Sequence, residues 1–255
     1  MRNRIILVTV LLATSFLTKA QLYIGAKAGL NFANFSADMG NGTAFNKKIG
    51  INGGATVKFN FINTFGLQMD LLYSQMGSKS SHELIMDDGA GGKITTTTKT
   101  TYDFSYLQVP LYANIEFPIK SEKLIPYRYT ENVVSIHLFG GGYFGYGLGN
   151  NTATTIDQFT IDVDNNKTTS PTTKTSGTSK KFNAIDFGVA FGAGVSFNIS
   201  KVGKLTLDGR YLMGLANFNS NKAYPNSVGK YPEMKNKAPQ VQLGYIHRIT
   251  KPKRW

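Results

Sequence analysis

Three histidines, at 82, 137 and 247, are the natural starting points for chemistry. A hydrolase would bring one of them together with a hydroxyl and a carboxylate. His82 has the richest company: SSHELIMDD places Ser80, Ser81, Glu83, Asp87 and Asp88 around it. The same density of polar groups is what a solvated loop carries, and the segment is read as one. Asp162-x-Asp164-x-Asn166 resembles the opening of a calcium loop but lacks the glycine and the terminal glutamate that such a loop needs. There is no phosphate loop, dinucleotide fingerprint or zinc spacing. The chain has no cysteine, which excludes disulfides, thiolate ligands and a thiol nucleophile. The expectation is a protein that is not an enzyme, with no catalytic residues, no metal and no cofactor.

A second set of ionisable residues is more orderly. Lys27, Lys58, Asp70, Glu116, His137, Asp208, Arg210 and Arg248 all fall in segments that alternate apolar and non-apolar residues, always on the non-apolar side. In residues 185–199 every odd position is apolar, from Ile185 to Ile199, while the even ones run Asp186, Gly188, Ala190, Gly192, Gly194, Ser196 and Asn198. Strict period-two alternation of this length specifies a β-strand with two unlike faces. The pattern recurs at 22–32, 49–61, 64–76, 102–117, 133–148, 204–216 and 239–249, eight strands in all. Tight turns follow Asn60 and Ser200, and 118–132 is an intermediate connection. The remaining connections, near 33–48, 77–101, 149–181 and 217–238, are long and polar. Long connections therefore leave one end of the sheet and short ones the other. Within the long ones, 82–101 reads as a hairpin around Gly89–Gly92, and 159–166 extends a strand; ten strands is the alternative if such hairpins join the ring.

The composition decides what surrounds the sheet. The chain has 255 residues and 28 Lys+Arg against 15 Asp+Glu, a net charge of +13, yet only 17% of it is charged. Its basic residues are scattered in pairs such as Lys47-Lys48 and Lys180-Lys181, without the basic stripe that nucleic-acid binding requires. A soluble sheet would turn Lys, Glu and Asp outward. Here the non-apolar face is mainly Gly, Ser, Asn, Gln and Thr, which suits the crowded interior of a narrow barrel. The apolar face carries Leu107, Val109, Leu111, Phe187, Val189, Phe191, Val195 and Leu207, and is read as facing lipid. Aromatics gather at both its ends: Phe59, Phe61, Phe65, Phe117 and Phe197 at one, Tyr73, Tyr102, Phe104, Phe144, Tyr146, Tyr211 and Phe218 at the other. Such belts mark the two lipid–water interfaces.

Residues 1–20, MRNRIILVTVLLATSFLTKA, have a basic start, an uncharged apolar run over 5–17 and a small-residue exit, which reads as a secretory signal cleaved after Ala20. The mature region 21–255 is then expected to be an all-β, eight-stranded, antiparallel, up-and-down transmembrane barrel in an outer membrane. Short turns would face the periplasm and long loops the exterior. The eight ionisable residues would form a paired network filling the interior. The expected partners are outer-membrane lipid and, during biogenesis, the barrel assembly machinery.

The segments GAKAGLNFANFS (25–36), GLQMDLLYSQMGSK (66–79), YLQVPLYANIEF (106–117), FGGGYFGYGLG (139–149) and DFGVAFGAGVSF (186–197) resemble the PorT-type outer-membrane β-barrel proteins of Bacteroidetes. The resemblance covers essentially all of 21–255. It implies an eight-stranded barrel and an accessory role in protein secretion through contacts with secretion-system proteins. Such chains end in an aromatic that closes the last strand, whereas here Trp255 follows a short basic tail. A small-solute channel and an enzyme with a loop-borne site are the other functions such a barrel supports.

Overall fold

A computed structural model describes residues 21–36, 44–62, 64–124, 129–162, 164, 166–178, 182–200, 202–217 and 233–250, without the side chains of 44, 120–124 and 129–132. The expected signal segment, Lys180-Lys181, Phe218 and Trp255 lie outside the described residues. The alternating segments form β1 (Gln21–Ser36), β2 (Ala44–Asn60), β3 (Phe65–Asp87), β4 (Lys93–Leu124) and β5 (Tyr129–Ile161). Two short strands follow, β6 (Lys167–Thr169) and β7 (Thr173–Gly177), then β8 (Ile185–Asn198), β9 (Gly203–Gly214) and β10 (Lys235–Arg248).

Eight of the strands close a ring in the order β1-β2-β3-β4-β5-β8-β9-β10, every pair antiparallel and β10 returning to β1. Closure leaves no sheet edge where hydrocarbon could not satisfy backbone N–H and C=O groups. The inward-facing register path Asn60–Gly66–Asn114–Phe139–Gly192–Arg210–Gln240–Asn31 arrives back on β2 at Gly50, ten residues from its start. That stagger tilts the strands by roughly 35–45° and makes the lumen just wide enough for side chains.

Sidedness follows from the chemistry of the two faces. Leu107, Leu111, Phe187, Val189, Phe191 and Leu207 point outward and are exposed, and Val109 and Val195 share that face, half-buried. Gln, Asn, Ser and charged residues point inward and are buried. The inner face of β8 is built from small residues so that bulkier groups of β5 and β9 fit the lumen. A Cβ on Gly192 would lie 2.3 Å from the Gly209 carbonyl oxygen and 2.7 Å from Phe139 Cζ. Gly192→Ala is therefore expected to destabilise the barrel by about 1–3 kcal/mol, measured by urea unfolding in lipid vesicles.

Two expectations are corrected. Tyr102 and Phe104 do not belong to the outer aromatic belt; they point inward, Phe104 fully buried and Tyr102 packed against the same interior cluster. The even-numbered face of β4, which carries Tyr106, Gln108 and Tyr112, simply continues inward to 102, because the bulge at this level lies on the β5 side. Tyr73, Phe144 and Tyr146 do stand outward. Among the described residues the 149–181 connection is also more regular than a loop, while the hairpin expected over 82–101 is present. β3 and β4 run on from the ring to a turn in which the Asp88 carboxylate accepts the N–H groups of Ala90 and Gly92, with positive φ at Gly89 and Gly91. β5 stays paired to β4 out to Ile161, and β6 and β7 lie along the other side of β5. Threonine dominates the β4 to β7 part of this projecting ridge, and β-branched residues favour the extended backbone. At the opposite end, 118–124 and 129–132 continue the β4–β5 ladder, paired down to Leu124 and Tyr129.

Candidate functional site

The candidate site is the barrel interior together with the ridge above it. Seven of the eight ionisable residues singled out in the sequence lie inside, at 5% exposure or less: Lys27, Lys58, Asp70, Glu116, His137, Asp208 and Arg210. Alternation on β1, β2, β3, β4, β5 and β9 aims them at one another. Arg248 stands at the short-turn mouth, partly exposed, with its Nε unpartnered. Two further groups belong to the interior on the same parity, Lys204 on β9 and Asp186 on β8; reading the even positions of those strands as a single face would have found them.

Three carboxylates organise the charges. Nearest the short-turn end, Glu116 accepts from Lys58 Nζ at 2.9 Å and from Lys204 Nζ at 2.8 Å. Next, Asp208 accepts from Lys27 Nζ at 2.5 Å and faces His137 Nε2 at 2.8 Å. Further in, Asp70 accepts from Thr56 Oγ1 at 2.6 Å, Gln68 Nε2 at 3.0 Å and Arg210 Nη1 at 3.2 Å, and the same Nη1 donates to the Tyr112 hydroxyl at 2.7 Å. These ties join strands that are not neighbours in the ring, β2 to β4 and β3 to β9, so they brace the wall across the lumen. An ion moved from water into such an interior is stable only when paired and hydrogen-bonded.

Above the ions comes an amide layer. Asn31 Nδ2 donates to Ser74 Oγ at 2.8 Å and to the Gln75 carbonyl at 2.7 Å, Asn52 donates to Asn31, and Gln242 donates to Asn52. Asp186 is held by neutral donors, the Tyr143 hydroxyl at 3.1 Å and Asn236 Nδ2 at 2.9 Å. Towards the exterior the lumen is closed by a plug of apolar and aromatic side chains that includes Phe35, Met76, Phe104, Tyr106, Phe139, Tyr143, Leu212 and Met234. Phe35 and Phe104 meet edge-on at 5.6 Å, and Phe104 meets Phe182 at 4.8 Å. Sequence reasoning foresaw a polar interior and missed this plug. A cleft of about 100 Å³ borders it where β5 parts from β8, lined by Phe104, Tyr106, Asn150, Phe182 and Asn183 among others.

His137 completes an unforeseen arrangement: its Nδ1 lies 3.0 Å from Ser196 Oγ, and its Nε2 faces Asp208. Hydroxyl, imidazole and carboxylate thus stand in the order of a nucleophilic relay, but Ser196 is 3% exposed and Asp208 also holds Lys27. His82, Glu83 and Asp87 lie on β3 in the ridge with Asp88 in the turn that follows, and His247 lies near the short-turn end beside Tyr245, its Nδ1 3.4 Å from the Tyr245 hydroxyl. Asp162 spends its carboxylate on its own turn, accepting the N–H groups of Asn166 and Asp164 and the Asn166 amide; these bonds hold it below the usual carboxylate range. Among the described residues no three His, Asp or Glu side chains converge as a metal site would require.

The sequence profile of the family described as outer membrane protein beta-barrel domain matches residues 18–220. Curated protein sequences give no match. Several solved structures are similar at low identity. Ail, the attachment invasion locus protein of Yersinia pestis, is 12% identical over 89% of this chain and 98% of its own, with a TM-score of 0.35. Neisserial surface protein A is 13% identical over 90% and 99%, with a TM-score of 0.36. OprG from Pseudomonas aeruginosa is 12% identical over 91% and 96%, with a TM-score of 0.37.

Proposed function

The chain belongs to the outer membrane protein beta-barrel domain family, and from that premise we propose that it is a non-enzymatic barrel that works through contacts with other proteins, as an accessory to protein secretion. Membership places it in the outer membrane. The observation that carries the reading is the filled lumen: paired ions below and an aromatic plug above leave the projecting ridge and the short-turn end as the surfaces free to act. The burial of Ser196 supports the non-enzymatic part, because a substrate must reach a nucleophile. The secretion role and the Bacteroidetes source rest on the resemblance of 66–79 and 106–117 to PorT-type barrels.

The cysteine-free chain suits a direct test. Cysteines placed at Thr98 and Ile156 on the ridge should form adducts with one set of exported or secretion proteins after treatment of intact cells with a thiol crosslinker. Loss of the gene should strand secreted cargo in the periplasm. Unimpaired secretion together with an absence of adducts at ridge and short-turn positions would overturn the proposal.

One observation favours a small-solute channel as a second reading. Both amide atoms of Asn114 and of Gln240, and Nε and Nη2 of Arg210, have no protein partner, which suits a wet lumen. The plug opposes continuous passage. Purified barrel in planar bilayers is expected to show no steady conductance, and a reproducible open level would reverse the order of the two readings.

A further inference from the structure

The ridge has two edges, and among the described residues only one is covered. Along β5, the short strand β7 pairs from Thr152↔Gly177 to Ile156↔Thr173, and β6 pairs from Phe159↔Thr169 to Ile161↔Lys167. On the other side the β2–β3 ladder ends at Ala44↔Ser81. From His82 to Asp87, β3 continues as an edge strand bonded to β4 alone among the described residues. Such an edge offers a row of unused N–H and C=O groups, which proteins usually blunt with proline, a bulge or charged side chains. Residues 82–87 carry no proline and no bulge, only the charges of Glu83 and Asp87, and Leu84, Ile85 and Met86 are exposed there.

The chemistry of the edge says what it would accept. Glu83 and Asp87 share one face with Ile85, and Asp88 follows in the turn, so the edge is acidic in a chain of net charge +13. A second copy would bring the same carboxylates against these, and like charges directly opposite destabilise a strand pair. The covered edge shows what this sheet does pair with: KTT and TKTSG, lysine- and threonine-bearing extended segments. There Lys167 Nζ stands 4.1 Å over the Phe159 ring, and the Thr172 hydroxyl donates to Asp157 at 2.9 Å.

We infer that His82–Asp87 is a docking strand on which an extended, basic segment of a partner protein adds one more strand to the ridge. The inference rests on the interaction reading above and names the surface and the partner's chemistry. Backbone pairing supplies affinity, as in other strand additions. Glu83 and Asp87, about 13 Å apart along one face of the strand, call for lysines four residues apart in the partner.

The probe is a fluorescein-labelled synthetic peptide, Lys-Val-Thr-Val-Lys-Val-Thr, titrated by anisotropy against the full chain in detergent. Saturable binding is expected, weakened at least tenfold by the double substitution Glu83→Lys/Asp87→Lys and abolished when glutamates replace the peptide's lysines. Asp157→Lys, near the covered edge, should leave it unchanged, and circular dichroism should report an intact barrel in each variant. Hydrogen exchange should slow at the amides of 82–87 on peptide addition. Equal binding by wild type and double variant, no slowing at 82–87, or no binding at all would each overturn the docking strand. If a ridge-crosslinked partner is retained in full by Glu83→Lys/Asp87→Lys, the docking strand falls while the interaction reading stands. If the peptide docks but no cellular partner is ever captured and secretion is normal, the reverse holds.

Discussion

Replacing Asp208 with asparagine should cost the barrel about 3–5 kcal/mol. The side chain keeps its shape but loses its charge. Lys27, 2.5 Å away, is then a cation at 5% exposure without its anion, and the hydrogen bond at His137 Nε2 weakens with it. The cost comes from the stranded partner more than from the lost attraction, which gives the prediction a sharp control. Adding Lys27→Met to Asp208→Asn should recover much of the stability, so the two substitutions should be strongly non-additive in a double-mutant cycle. Asp186→Asn supplies a second control. Its partners, Tyr143 and Asn236, are neutral, and the loss should be on the order of 1 kcal/mol. Urea unfolding in lipid vesicles decides both; equal losses for Asp208→Asn and Asp186→Asn would show that charge pairing is not what organises the interior.

Val189→Arg is expected to destabilise by about 2–4 kcal/mol, because Val189 stands on the outward face of β8 and an arginine there places a cation in hydrocarbon. Ser196→Thr, on the opposite face of the same strand, keeps the hydroxyl facing His137 Nδ1 and adds one methyl group beside Gly194, for about 1 kcal/mol. The pair tests the orientation of the wall. In a soluble barrel the order would invert, since arginine on a water-facing strand costs little while any enlargement of a sealed core is felt. A loss smaller for Val189→Arg than for Ser196→Thr would turn the barrel inside out.

Much of this was legible because a strand has a period of two. The parity of Lys27, Lys58, Asp70, Glu116, Asp208 and Arg210 put each on an inward face before any contact was known. The places where reading failed share one cause. Tyr102 and Phe104 look like belt aromatics by type and by nearness to a strand end, and only their even numbering betrays that they continue the face of Tyr106. Residues 149–161 look like a loop by composition and become strand because β4 flanks them on one side and β6 and β7 on the other. Lys204 stands on the even face of β9 with Thr206, Asp208 and Arg210, yet its partner Glu116 lies across a lumen only closure creates.

The sequence alone determined the sidedness of the ring strands and the medium outside, while leaving eight and ten strands both open, since transfer of apolar side chains to hydrocarbon and of small polar ones to a narrow interior is a property of residue type and parity. Which cation meets which carboxylate, where the aromatic plug closes the lumen, and which edge of the ridge stays open were decided by the tertiary structure. These depend on the ten-residue stagger of the closed ring, which sets strands far apart in the chain at a common level. No local pattern encodes that register, because it is a sum over eight pairings, each of which shifts every contact across the lumen.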